Sequence, residues 1–217
     1  MDPFEAIYRV AQKELQGETP LFLAVSYGNN ALFKRLLEKS EQRAKFKDTD
    51  IGHDCLNCAI IQDNKEIVKA LVELPLFEFD WIHHPMVSLK AISHLHTAAT
   101  LGRFEAFKIM VDIESVDIGG RDPYGKTTLH HACDVGSMEI VEFLGIVQAL
   151  LNLDTVDPDS NDLEGKSPFY YAVLSGNDAI AKILADDKRV DRSIEGKAKE
   201  DRPDYEKTRP ILIVEEV

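Results

Sequence analysis

Apolar residues along this chain gather into short stripes at helical spacing, two stripes to a unit, with a polar gap between them. Residues 125–145 show the arrangement: Leu129, Ala132 and Cys133 stand at i, i+3 and i+4, and Ile140, Val141 and Leu144 make a second stripe. Gly136 lies between the two, and a glycine there takes the left-handed conformation that ends a helix and lets the chain reverse. The pattern predicts two antiparallel helices of about ten residues each. A separate stripe of Phe4, Ile7, Tyr8, Ala11 and Leu15 predicts a helix over residues 3–15, with Asp2 as N-cap and Pro3 in the first turn.

The two-stripe unit recurs. Residues 17–37, 52–72, 91–111, 125–145 and 165–185 align without gaps, and each has an alanine seven positions after its first residue: Ala24, Ala59, Ala98, Ala132 and Ala172. Gly28, Gly102, Gly136 and Gly176 share a later slot, which Asp63 fills in the second unit. Self-similarity of this kind means that no unit buries its apolar face alone; each stacks on its neighbours in an elongated array. Turn-rich stretches such as 116–125 and 156–165 join the units and suit hairpin-like loops.

The first residues of the units stand 35, 39, 34 and 40 apart, so two junctions carry extra chain. One is residues 75–88, which are rich in aromatics and hold the only tryptophan, Trp81. The other follows the fourth unit, where the apolar register runs on through Val147 and Leu151 and predicts an outer helix about two turns longer, adding roughly 10 Å.

These units resemble the ankyrin repeat, whose period is about 33 and whose signature is T-P-L-H-x-A. The matching tetrapeptides are TPLF (19–22), DCLN (54–57), SHLH (93–96), TTLH (127–130) and SPFY (167–170). A Thr or Ser hydroxyl caps the first helix, proline suits its first turn, leucine enters the core, and a small alanine permits close helix packing. The second unit departs furthest, with Asp54 and Cys55 in place of Thr-Pro. The resemblance covers about residues 17–196, with repeats starting near 17, 52, 91, 125 and 165. It implies an all-α solenoid of stacked helix-turn-helix units with hairpin-like loops, and residues 1–16 as an N-terminal capping helix. Residues 1–196 then form one domain. The charged, proline-containing remainder, 197–217, ends in a short apolar run, Ile211–Val214, and is expected to be disordered. The resemblance also implies that His96 and His130 link neighbouring loops by hydrogen bonds.

The formal net charge is −13. Residues 186–217 carry ten acids and eight bases, or −2, which leaves −11 on the repeats. So acidic a body repels nucleic acid and anionic membranes, and it favours a protein partner that presents a basic segment. Three cysteines make no disulfide framework, and Asp2, Glu5 and Glu14 speak against a secretory signal. A reducing compartment is expected: the cytoplasm, with the nucleus, or a host cytoplasm for a secreted effector, as variants.

No phosphate-binding, dinucleotide, metalloprotease or nucleophile-elbow motif occurs, so no cofactor and no catalysis are expected. The contrasting possibility is thiol or metal chemistry at Cys55-x-x-Cys58 with nearby histidines, among them His53, His83, His84, His94 and His96. Asp157, Asp159 and Asn161 begin like a calcium loop, but Asp162 and Pro168 occupy positions that need Gly and Glu. The expected function is that of a monomeric interaction module: a scaffold, an inhibitor or a host-directed effector. In the resembled family the partner lies against loop tips and the exposed ends of the inner helices. Carried over slot by slot, the apolar candidates are Tyr27, Ile61, Leu101, Tyr124, Val135 and Leu174, with Trp81 added as the loop's lone large anchor.

Overall fold

A computed structural model describes residues 19–38, 49–74, 94–113, 116–134 and 140–202. The expected helix over 3–15, the Trp81 segment, Gly136 and Val135 lie outside the described residues. So do His83 and His84.

Five helical hairpins follow one another. Their inner and outer helices are α1 (Pro20–Ser26) and α2 (Asn30–Leu37), α3 (Thr49–Ile61) and α4 (Lys65–Val72), and α5 (His94–Thr100) and α6 (Phe104–Val111). Then come α7 (Thr128–Cys133) and α8 (Ile140–Leu151), and α9 (Pro168–Leu174) and α10 (Asp178–Asp186), with a last helix α11 (Glu195–Asp201). Inner helices pack on inner helices in the order α1, α3, α5, α7, α9, α11, and outer on outer in the order α2, α4, α6, α8, α10. The result is the expected two-layer helical stack, and a single apolar cluster runs through it from Leu21 to Ala198.

Local chemistry explains the hairpins. Thr19 Oγ1 accepts the Phe22 N–H at 3.2 Å, and Pro20 follows in the first turn, where its missing N–H costs nothing. Ser167 and Pro168 repeat the device on α9. At the far end of the inner helix, the carbonyl of the recurrent alanine accepts an N–H five residues on. The pairs are Asn29 to Ala24, Asn64 to Ala59, Arg103 to Ala98 and Asn177 to Ala172, at 2.8–3.0 Å. That closure needs a left-handed residue one position earlier. Gly28, Gly102 and Gly176 have φ of 61°, 66° and 70°, and Asp63 is forced to 56° in the same slot. Asn29, Asn64 and Asn177 then turn to the outer helix, each accepting the N–H three residues on, whereas Arg103 provides no such cap.

In the second repeat, the one that departs furthest from the signature, α3 begins at Thr49, which places Asp54 inside the helix and exposed on it. The outer helix of the fourth repeat runs on as expected: α2, α4 and α6 end at Leu37, Val72 and Val111, whereas α8 continues past the equivalent Gly145 to Leu151, about 9 Å of extra helix. One expectation about the fold is corrected: the tail expected from residue 197 starts as structure. Helix α11 packs on α9 with Ala198 fully buried, and the Tyr170 hydroxyl donates to Asp201 at 2.7 Å. No helix among the described residues is long and apolar enough to cross a membrane.

Candidate partner-binding face

The inner helices all end on one edge of the stack, and hydrogen bonds between repeats lock that edge. Gln62 Nε2 donates to the Ser26 carbonyl at 2.6 Å, and Arg103 Nη2 to the Ile61 carbonyl at 3.0 Å. The Thr100 hydroxyl meets His131 Nδ1 at 3.0 Å, and His131 Nε2 lies 2.9 Å from Asp122 Oδ2. The backbone behind the candidate residues is therefore held in place before any partner arrives, which limits the ordering cost of binding.

The loops are built alike. Asp122 Oδ1 accepts the N–H groups of Tyr124 and Lys126 at 2.8 Å, and Asp162 Oδ1 those of Glu164 and Lys166 at 2.9 Å. Each aspartate spends its second oxygen on the helix below: Asp122 on His131, Asp162 on the Tyr171 hydroxyl at 2.7 Å. Arg121 bonds both the Gly125 and the Asn161 carbonyls at 2.8 Å, and the Leu163 N–H donates to the Tyr124 carbonyl, so the two tips form one platform.

Histidines sit behind this platform. Burial lowers His130 to about 4, although its Nε2 lies 3.0 Å from the Lys166 carbonyl, and its Nδ1 accepts the Thr127 N–H. That is the inter-loop link the resemblance implied. Burial also lowers His96 to about 4, with His131 adding to the shift, and lowers His94 to about 3, with stacked His53 adding to it at 5.0 Å. These imidazoles are neutral supports in the neutral range. For Asp162, burial alone would raise the pKa, but the bonds from Tyr171, Lys166 and Glu164 win and hold it below the usual carboxylate range.

Tyr27 is 83% exposed, Ile61 55%, Leu101 39% and Tyr124 68%, so four of the candidates project from the locked edge. Leu174 does not: it is half-buried and packs against the core. Val135 and Trp81 lie outside the described residues. Sequence reasoning missed Leu163, 78% exposed beside Tyr124. Its signal was an apolar residue directly after the loop aspartate, in the slot Pro123 fills one repeat earlier.

The thiols offer little chemistry. Burial pushes Cys55 up to about 12, with Cys58 and Asp54 adding to the shift; Cys133 is buried and raised too, and Cys58 is raised by its partial burial. Among the described residues no three His, Cys, Asp or Glu side chains converge on a point that could hold a metal. Asp157 Oδ1 accepts the Asp159 N–H and Asp159 Oδ1 the Asp191 N–H, so the calcium-like sequence is occupied in holding loops together.

A family profile described as ankyrin repeats matches residues 5–81, 80–145 and 95–195. The chain belongs to the ankyrin-repeat family. It is 25% identical over 178 residues to the probable 26S proteasome regulatory subunit p28 of Saccharomyces cerevisiae, an alignment covering 81% of this chain and 72% of that protein. It is 34% identical over 84 residues to the serine/threonine-protein kinase TNNI3K of Mus musculus, which covers 38% of this chain but only 10% of the kinase. The fold resembles the crystal structure of the ankyrin repeat domain of Bcl-3, described as a unique member of the IkappaB protein family. That match has a TM-score of 0.59 and 24% identity, and it covers 78% of this chain and 72% of the other. Ankyrin repeats in general are protein-interaction modules, and this chain has the architecture of one.

Proposed function

We propose that this ankyrin-repeat protein acts stoichiometrically and without turnover, holding a protein partner against the inner-helix ends and loop tips. Tyr27, Ile61, Leu101, Tyr124 and Leu163 are the anchors in this reading, with Val135 and Trp81 added on sequence grounds. The observation that carries it is the pairing of apolar exposure with a hydrogen-bonded backing: aromatic and aliphatic side chains stand free on a rigid edge that does not need them for packing. The net charge of −13 selects a partner segment rich in Lys and Arg, and it disfavours nucleic acid and anionic membrane. The cytoplasm or nucleus fits the three unpaired cysteines, and a monomer fits a face turned toward a foreign partner.

The test is capture of partners from the source cell by wild type and by a Tyr27→Ala/Leu101→Ala/Tyr124→Ala variant, followed by titration of the purified complex. Surface truncations of this kind leave stability within about 0.5 kcal/mol. The variant should melt with wild type yet bind at least about 100-fold more weakly, the cost of losing two or three anchors. Equal affinity would refute the assignment. The likeness to p28 supports a second reading, in which the partner belongs to a large assembly. Purified 26S proteasome is the probe for that reading, and absence of saturable binding would remove it.

A further inference from the structure

In every earlier repeat the next outer helix covers the outer helix before it: α4 covers α2, α6 covers α4, α8 covers α6 and α10 covers α8. Helix α11 takes the place of a sixth inner helix, packing on α9 as α9 packs on α7, with Ala198 fully buried. Among the described residues no outer helix follows it to cover α10.

A cavity of ≈ 320 Å³ opens at this end, between α9, α10 and α11. Phe169, Val173, Ala181 and Ala185 give it an apolar lining. Its charged residues are four cations (Lys182, Arg192, Lys199, Arg202) against three acids (Asp178, Asp186, Glu195), a positive balance on a chain of net charge −13. Arg192 and Lys199 pair with Glu195, while Lys182 and Arg202 have no ion-pair partner among the described residues. The segment that would complement the groove is in the same chain: Ile211, Leu212, Ile213 and Val214, followed by Glu215 and Glu216. The described chain leaves α11 at Arg202, on the groove itself, and the nine residues to Ile211 span up to about 30 Å when extended.

We propose that residues 211–216 of this chain dock in the groove between α10 and α11, with the apolar run on Phe169, Val173, Ala181 and Ala185 and the glutamates against Lys182 and Arg202. The segment thereby closes the solenoid, doing with a short peptide what an outer helix does in every other repeat. Terminal repeats need such a cap because their outward face has no neighbour.

The experiment uses the full chain and two readouts. Hydrogen exchange at neutral pH should show the amides of 211–214 slowed at least tenfold relative to unstructured peptide; free exchange overturns the proposal. A Cys58→Ala/Ala185→Cys/Leu212→Cys chain, oxidised mildly, should form a disulfide within one molecule at a rate independent of protein concentration. Adding Lys182→Glu and Arg202→Glu should slow that closure about tenfold, the effect of a change of about 1.4 kcal/mol. Slowed exchange without this cross-link places the segment elsewhere and overturns the proposal. A cross-link that forms only between chains assigns the groove to a second copy and overturns it as well.

Discussion

At the junction of repeats one and two, amide side chains do the joining: Gln62 reaches the Ser26 carbonyl, and Asn64 Nδ2 donates to Asn30 Oδ1 at 2.7 Å. At the junction of repeats four and five the same task falls to groups that titrate. His130 lies against the Lys166 carbonyl, Tyr171 donates to Asp162, and Lys126 stands 3.9 Å over the Tyr171 ring while pairing with Asp134 at 2.8 Å. Junctions two-three and three-four also rest on buried imidazoles, His94 and His96. One architecture is thus stapled at its start by amides and an exposed Lys34–Glu66 ion pair, and further along by buried ionisable groups. The first kind is cheap to lose and includes no buried imidazole. The second is costly to break and sensitive to acid.

Acidification separates the two most strongly. His94, His96 and His130 have folded pKa values near 3, 4 and 4, below the unfolded value of 6.5. Above pH 6.5 neither state takes up these protons, and the contribution to stability is complete. As pH falls below 6.5 the unfolded chain binds protons that the folded chain refuses, so stability drops until the folded values are reached. Between pH 7 and pH 5 each imidazole costs about 1.5–2 kcal/mol, and the three together about 5 kcal/mol. Hydrogen exchange at the two pH values should show protection lost around 94–134 and 165–175 well before residues 20–37. Equal loss at both ends would sink the distinction.

Two substitutions in one slot probe packing on either side of the divide. An added Cβ at Gly102 would fall 2.7 Å from the Phe143 ring, whereas at Gly28 its nearest neighbour is Gln62 Oε1 at 3.7 Å. Both glycines have left-handed φ. Gly28→Ala should cost about 1 kcal/mol from backbone strain alone, and Gly102→Ala about 2–4 kcal/mol because overpacking adds to it. Urea unfolding of the two variants checks the order. If they match, Phe143 yields without cost.

The staples themselves give a gentler contrast. His130→Ala removes the acceptor of the Thr127 N–H and the partner of the Lys166 carbonyl inside the core, for about 2–3 kcal/mol. Gln62→Ala breaks an exposed bond and should cost less than about 1 kcal/mol. Smallest and opposite in sign is Asp63→Gly, which relieves the 56° φ in the one repeat lacking the glycine and should stabilise by about 0.5–1 kcal/mol. A lower melting temperature for Asp63→Gly would mean that Asp63 makes a compensating contact.

What was legible in the chain beforehand was whatever recurs. Ala24, Ala59, Ala98, Ala132 and Ala172 are buried because inner helices meet there, and the Gly28 slot turns the backbone wherever the glycine is described. What was not legible depends on neighbours rather than on local pattern. Helix α11 is written EGKAKED, with no apolar stripe, and it is helical because Ala198 and Ile194 find α9 to pack on. The early start of α3 leaves no cap signature at Asp54. On the candidate face, Tyr27, Ile61, Leu101 and Tyr124 could be picked out by slot, but Leu174 shares the slot of Ile61 and still packs inward. Leu163 was passed over because its neighbour Glu164 fills the family's contact position. Exposure at a given slot is set by tertiary packing, which a slot alone does not record.

The central claim is that a partner binds on the locked inner-helix edge, through side chains that the stack does not need for its own packing. Hydrogen exchange on the complex, with the partner bound and free, tests it most directly. The account predicts new protection at 26–28, 60–63, 100–102 and 122–126, with the outer helices α2, α4 and α6 unchanged. Protection confined to those outer helices, with the inner edge unaffected, would contradict it.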